Sequence, residues 1–277
     1  MNTFTAILTA ITGFVIEPFS GYPVTVLIVA SILCGVGMTW VFGKTSNQAA
    51  LQRTVDRSKA QLLAIRLFKE DLGVTLGAQG TLLKATGWRL VQSLVPMAVL
   101  LVPFVLLLTQ LAVYYEFQPH APGDRTVVTM EVAEEAWGDW RMVEPEVTPG
   151  LVVETAAHRD DDAHELAWRV RVVAAEQGFL SWHVGDEIVT KRVDIAPAGL
   201  ADLQPISPQR PGAVFIDQLL YPAEHAFAGT GPVRSIRVAH GSRSTPIFGV
   251  DLPWWATFLI VSMAAALACR RRLGVVF

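Results

Sequence analysis

The chain has 277 residues, of which 52% are hydrophobic and only 17% are charged, and its mean hydropathy is +0.40. This composition excludes an ordinary soluble domain of this length and predicts a protein of the membrane. The formal net charge of −3 is small, but the charges are strongly segregated along the chain.

Residues 1–20 are predicted to form an amphipathic helix that lies in the outer membrane interface. One helical face carries apolar residues, namely Phe4, Ile7, Leu8, Ile11 and Val15. The segment lacks the basic start of a secretory signal, so we expect it to be retained. A short apolar element packed on the other helices is the alternative.

Three segments carry no charged residue: residues 24–42, 90–115 and 252–269. Each is close to the roughly 20 residues that cross about 30 Å of hydrocarbon. Backbone groups left unpaired in lipid are costly, so such segments must be helical. The sequence therefore predicts three transmembrane helices. Cys34 and Cys269 both fall inside them, which leaves no disulfide framework for an outer domain.

The charges between these segments predict their direction across the membrane. Residues 43–89 hold eight basic and three acidic residues, and three arginines begin the tail at residues 270–277. Residues 116–251 hold eleven basic and 21 acidic residues. By the positive-inside rule, the first region and the tail are cytoplasmic, and the N-terminus and the acidic region are extracytoplasmic. We expect a bacterial cytoplasmic membrane.

Residues 45–89 are predicted to form a cytoplasmic helical hairpin. Apolar residues recur at near-helical spacing up to Gly73, and a second helix is expected from about Thr75 to Trp88. Basic side chains near the inner leaflet attract anionic lipid headgroups. The residues expected at this surface are Arg53, Arg57, Lys59, Arg66, Lys69, Arg270, Arg271 and Arg272.

Residues 120–248 show the alternation of strands. In HELAWRVRVV, apolar and polar residues alternate, which places Leu166, Trp168, Val170 and Val172 on one buried face. SWHVGDEIVTKRVDI is typical of a hairpin that turns at Gly185-Asp186. RTVVTMEV, LVVETAA, GAVFID and VRSIRVAH are further predicted strands. The predicted fold is thus an α-helical membrane protein of three transmembrane helices and a cytoplasmic helical hairpin, with an inserted extracytoplasmic all-β, sandwich-like domain.

One acidic stretch, HRDDDAHE, contains residues that could bind a metal: His158, Asp160, Asp162 and His164. Its spacing does not match calcium or zinc motifs, so we interpret it as a solvated turn between strands. The chain contains no nucleotide-binding or hydrolase motif. We therefore expect neither an enzyme nor a bound cofactor, and we expect no nucleic acid as a partner because the basic charge lies beside the membrane.

Two stretches carry a family resemblance: WVFGKTSNQAALQRTVDRSKAQLLAIRLFKEDLG and WRLVQSLVPMAVLLVPFVLLL. A coiled-coil arm that leads into a proline-containing span resembles the YidC/Oxa-type membrane protein insertases, most closely the archaeal homologues and the insertase subunit of the ER membrane complex. The resemblance covers residues 4–115 and 252–272. These spans contain no basic residue, whereas many insertases have one in the groove.

The resemblance implies a passive insertase-like biogenesis factor that assists insertion or folding of membrane proteins without nucleotide. Its partners would be the lipid bilayer and nascent membrane proteins. The arm would receive the substrate, and polar side chains between the spans would ease the passage of a polar flank. The implied substrate contacts are Leu62, Phe68, Ser31, Thr39, Thr109, Gln110, Thr257 and Ser262.

Two other interpretations fit the same sequence. The spans could anchor an extracytoplasmic β-domain that binds a partner, since nearly half of the chain lies in that region. Alternatively, the chain could be a structural subunit that packs against other membrane subunits of a larger complex.

Overall fold

The computed structural model describes residues 3–46, 52–53, 56, 72–140, 143–174, 177–184, 187–196, 202–247 and 250–275. The chain divides into two compact units. The first unit, named the outer unit after its predicted location, combines Met1–Val26 with Leu106–Trp254. The helical unit combines Leu27–Val105 with Trp255–Phe277.

The first half of the chain is helical. Helix α1 spans Thr3–Ile16 and runs into a 3₁₀ turn at Glu17–Phe19. Helix α2 spans Pro23–Thr45, and proline suits its first position because the N–H there has no partner within the helix. Helix α3 spans Leu72–Tyr115.

Helix α3 joins two elements that the sequence analysis kept apart. Its 44 residues include both the predicted second limb of the hairpin and the predicted span at residues 90–115. The helix is therefore continuous where the sequence analysis placed the boundary of the arm. The change of charge near residue 89 does not coincide with a helix end. The first limb lies outside the described residues, apart from residues 52–53 and 56, which are helical.

Strands fill most of the region that follows. They are β1 Arg125–Val132, β2 Glu146–Val147, β3 Leu151–Val153, β4 His158–Asp160, β5 Glu165–Val172, β6 Gly178–Val184, β7 Glu187–Val193, β8 Gln209–Arg210, β9 Val233–Val238, β10 Thr245–Ile247 and β11 Val250–Leu252.

The strands form antiparallel sheets. The larger sheet has the order β3-β5-β1-β9-β8, with β4 also paired to β5, and a second sheet has the order β2-β6-β7. Strands β10 and β11 pair with each other. The predicted hairpin is confirmed, because β6 and β7 pair from Gly178↔Val193 to Val184↔Glu187. Its predicted turn at residues 185–186 lies outside the described residues.

One hydrophobic core lies between the two main sheets. Alternation along β5 buries Leu166, Trp168, Val170 and Val172, as predicted. The rings of Trp168 on β5 and Trp182 on β6 are 5.4 Å apart. Because β5 and β6 belong to different sheets, these contacts give a sandwich-like packing.

The β-domain, the part of the outer unit at residues 120–248, also contains helices. The predicted strand GAVFID is wrong: helix α4 spans Phe215–Leu220. A short apolar run has no period that separates a strand from one helical turn, and this helix stops just before Pro222. A 3₁₀ helix also occupies Glu134–Asp139.

Helix α5 spans Trp254–Cys269. Among the described residues, two helices are long and apolar enough to cross a membrane, Pro23–Thr45 and the Met97–Tyr115 part of α3. Helix α5 is apolar but has only 16 residues, about 24 Å at 1.5 Å per residue, against about 30 Å of hydrocarbon. Crossing by the third predicted span therefore stays a prediction.

Candidate functional site

Helices α2 and α5 touch through their backbones in the helical unit. A Cβ atom placed on Gly35 would overlap the carbonyl oxygen of Ser262. Ser31 and Thr39, one turn to either side of Gly35, are buried on the same face of α2. Small residues at this four-residue spacing let membrane helices approach closely. The sequence carried this packing signal, but it was interpreted only as a set of polar groups.

The predicted substrate contacts in this seam keep their hydroxyls within their own helices. Ser31 Oγ, Thr39 Oγ1 and Ser262 Oγ each donate to a carbonyl oxygen three or four residues earlier, at 2.6, 2.7 and 3.1 Å. All three side chains are buried. Such hydrogen bonds hide the polarity of a hydroxyl from the surroundings of the helix. These residues therefore contribute small volume more than polar surface.

The other polar candidates differ in their hydrogen bonding. Thr109 Oγ1 donates to Leu106 O at 2.9 Å. Thr257, in the helical unit, and Gln110, in the outer unit, are buried. Their side-chain polar atoms have no hydrogen-bond partner within the described part of the chain. A buried polar group left unpaired costs about 1–3 kcal/mol, so each of these two residues favours an additional polar partner.

An open cavity of about 460 Å³ lies beside the seam. It is lined by α2, α3 and α5 through Cys34, Gly35, Met38, Phe104, Leu259, Ile260, Ser262, Met263 and Ala266. Ser262 is the lining residue with a hydroxyl, and that group is bonded within its own helix. The cavity is thus apolar, and it suits hydrocarbon side chains or a lipid chain better than a charged ligand.

The C-terminal tail packs near the end of α2. Val275 contacts Phe42, with Leu100 of α3 beside them, and a Cβ on Gly43 would lie 2.8 Å from the Val275 side chain. The C-terminal end of α2 and the tail therefore lie on the same side of the helical unit. The predicted topology requires the same arrangement, because it places both segments in the cytoplasm.

The basic residues of this side are described only in part. Arg53 and the tail residues Arg270, Arg271 and Arg272 are exposed, as contact with headgroups requires. The remaining predicted positions lie outside the described residues: Arg57, Lys59, Arg66 and Lys69 at the membrane surface, and Leu62 and Phe68 as substrate contacts.

The metal candidates in HRDDDAHE form a hairpin turn between β4 and β5. Asp160 Oδ1 accepts from the backbone N–H groups of Asp162 and Ala163 at 3.0 and 3.1 Å. His164 has a positive φ of 53°, and its ring packs edge-on against that of Trp137 at 5.3 Å. No group of three or more potential ligands occurs in the described part of the chain. The two hydrogen bonds accepted by Asp160 support the interpretation as a turn.

The outer unit contains a fully buried lysine that the sequence analysis did not single out. Lys191 Nζ donates to Glu224 Oε1 at 2.8 Å and to Ser207 O at 2.7 Å. Burial lowers the pKa of the ammonium group, and Glu224 opposes this shift. The signal was present in the sequence, because alternation along β7 places Lys191 on the same face as Val189 and Val193.

Buried His120 and partly buried His240 lie side by side near this ion pair. The ring centroids of His120 and His240 are 4.5 Å apart, and His240 Nδ1 lies 2.9 Å from Val238 O. A carbonyl only accepts, so Nδ1 carries the proton. Burial, with a smaller contribution from His120, lowers the pKa of His240 to about 3. Burial likewise lowers the pKa of His120.

Comparisons with family models, with curated proteins and with solved structures found no significant match to this chain.

Proposed function

We propose that the chain is an insertase-like biogenesis factor that holds an apolar segment of a nascent membrane protein beside α2, α3 and α5. In this proposal α5 crosses the membrane as the third span, the N-terminus and the β-domain face outward, and the basic arm and tail face the cytoplasm. No nucleotide or cofactor takes part.

The observation that carries the proposal is the open cavity of about 460 Å³ in the helical unit. Its walls are apolar, which matches the side chains of a membrane helix that has entered the bilayer. The close α2–α5 approach at Gly35 supplies a packed wall beside it. This volume holds a few side chains, so it fits transient lateral contact with a segment better than its enclosure.

The absence of charge from the predicted spans shapes the mechanism. A charged group in hydrocarbon is energetically unfavourable. In a groove, however, such a charge would attract water and so help a polar flank of the substrate to cross. Of the predicted substrate contacts, Thr257 in the helical unit and Gln110 in the outer unit carry buried polar atoms without partners in the described residues. We therefore expect clients with short or weakly polar flanks, and help with the packing of apolar helices.

Photo-crosslinking in cells tests the proposal with matched positions. A benzophenone side chain at Met263, which lines the cavity and is 61% exposed, should capture nascent membrane proteins. Leu33 on α2 is 68% exposed and is not among the cavity residues. A probe at Leu62 tests the arm. Equal capture at Met263 and Leu33 would overturn the proposal.

A second function is favoured by the outer unit. An open cavity of about 390 Å³ there is lined by Arg192, Arg210, Glu224 and His225 among others, and such a polar surface suits a partner of mixed charge. Deletion of residues 120–248 with a short linker separates the two proposals. An outer binding module loses all function on this deletion, whereas an insertase-like unit keeps part of it.

A further inference from the structure

Helix α4 exposes an apolar cluster on the outer domain. Val214, Phe215, Ile216 and Leu220 are all exposed, and Ile216 is 63% exposed. Residues 211–223 contain a single charged residue, Asp217, and no basic residue. Contiguous apolar surface of this kind usually marks an interaction site.

The cluster adjoins the outer end of a candidate span. A cavity of about 200 Å³ is lined by Ala112 and Val113 of α3 and by Leu220 and Tyr221 at the end of α4. The chain leading to α4 is bonded to the same helix end, because Ile206 N donates to Val113 O at 2.9 Å. The apolar surface of α4 therefore lies near the level at which Met97–Tyr115 would leave the hydrocarbon.

A second apolar surface lies in the same unit. Ile7, Ile11 and Phe14 form an exposed stripe on α1, and a Cβ on Gly13 would be 3.4 Å from Tyr114 Oη at the end of α3. Both apolar surfaces thus lie beside the last turn of α3, α1 at Tyr114 and α4 across the cavity that Ala112 and Val113 line. A bilayer around α3 would cover the apolar surfaces of α1 and α4 together. Contact with lipid chains needs no charged residue on α4, which has no basic side chain.

We propose that Val214, Phe215, Ile216 and Leu220 insert into the outer leaflet and hold the β-domain against the bilayer surface. The partner is the lipid itself. Insertion depends on apolar contact, so it is independent of anionic lipid. The inference rests on the membrane location of α3 within the proposed function, but it does not depend on insertase activity.

Fluorescence quenching in lipid tests this wedge on the full chain. Single cysteines, introduced into a variant with Cys34 and Cys269 replaced by alanine, carry an environment-sensitive fluorophore in phosphatidylcholine nanodiscs. Ile216→Cys is compared with Ile188→Cys, because Ile188 is 62% exposed on β7. Ile188 is the control because it lies far along its strand from the end of α3. It is seven residues, or about 23 Å along a strand, from Ile195, which pairs with His120 just after that helix end.

Nitroxide on the upper acyl chain should quench the probe at Ile216 about twofold more than the probe at Ile188, because an inserted apolar face lies about 5–10 Å deep. Equal quenching overturns the inference, as does a difference that appears only with anionic lipid. If Ile216→Cys does not fold, Leu220→Cys carries the probe, and equal quenching there also overturns it.

A label at Val102, in the middle of the predicted span, separates the possible failures. Strong deep quenching at Val102 without quenching at Ile216 refutes only the wedge. No quenching at Val102 refutes the membrane location and the wedge together. Quenching at Ile216 with a negative crosslinking result at Met263 refutes the insertase proposal and supports the wedge.

Discussion

Acidification should destabilise the outer domain through His240. The unfolded-state pKa of a histidine is about 6.5, whereas the pKa of His240 in the folded domain is about 3. Below about pH 6.5 the unfolded chain binds a proton that the folded domain does not bind. Folding stability therefore decreases as the pH is lowered from about 6.5 to about 3. Above about pH 6.5 the contribution of His240 to the free energy of unfolding is fully present.

The magnitude follows from these two pKa values. Between pH 7 and pH 5 the unfolded state gains about 2 kcal/mol relative to the folded state from this group alone, at 1.36 kcal/mol per pKa unit. His120 changes stability in the same direction, because burial lowers its pKa too. Nearby Lys191 disfavours a second positive charge at His240.

Guanidinium unfolding of the full chain in nanodiscs measures this effect. Fluorescence of the buried tryptophans Trp168 and Trp182 reports the outer domain. The control is His240→Asn, whose amide can still donate to Val238 O but does not titrate. We expect the loss between pH 7 and pH 5 to be smaller in this variant by about 2 kcal/mol. The same pH dependence in both proteins would refute the reasoning.

Further predictions concern the helical seam and the buried ion pair. Gly35→Leu should disrupt the α2–α5 approach at Ser262 and lower the thermal midpoint in detergent, while Gly37→Leu should not, because a Cβ there meets nothing within 4 Å; equal shifts would contradict the seam. Glu224→Ala should cost about 3–5 kcal/mol in urea unfolding, because it leaves the Lys191 ammonium buried without its counterion. The double variant Lys191→Met with Glu224→Leu should recover most of this loss, and no recovery would mean that the charge is not the cause.

The strands were predictable where side chains alternate. In β5 a buried face and an exposed face differ in polarity at each residue, so the period of two was legible in the sequence. Helix α4 was not predictable, because its apolar residues are exposed and an apolar run is normally interpreted as buried. GAVFID was therefore predicted to be a strand.

The limits of helix α3 were obscured by charge. Lys84 and Arg89 precede the uncharged segment 90–115, and an element boundary was predicted between them and that segment. Backbone hydrogen bonding does not depend on side-chain charge, and the 44-residue helix runs through both positions. Charge patterns predict depth in a membrane, and helix boundaries require caps or breakers.

The candidate site was predictable in composition but not in geometry. The sequence identified Ser31, Thr39 and Ser262 as polar groups in apolar helices, and all three are buried. It could not show that each hydroxyl bonds to its own helix, because rotamer choice is set by packing. Nor could it show that Gly35 meets Ser262, since that contact joins positions far apart in the chain.

The cavity beside the seam has unequal walls. Every lining residue except Phe104 belongs to α2 or α5. Those two helices pack closely where Gly35 contacts the backbone of Ser262. Phe104 is half-buried, and its ring lies 6.1 Å from that of Phe258. A change of rotamer at this one aromatic side chain would therefore change the shape of the cavity without breaking the contact between α2 and α5. Side chains of different size would then require a rearrangement of Phe104 alone, because the α2 and α5 walls are fixed by their backbone contact.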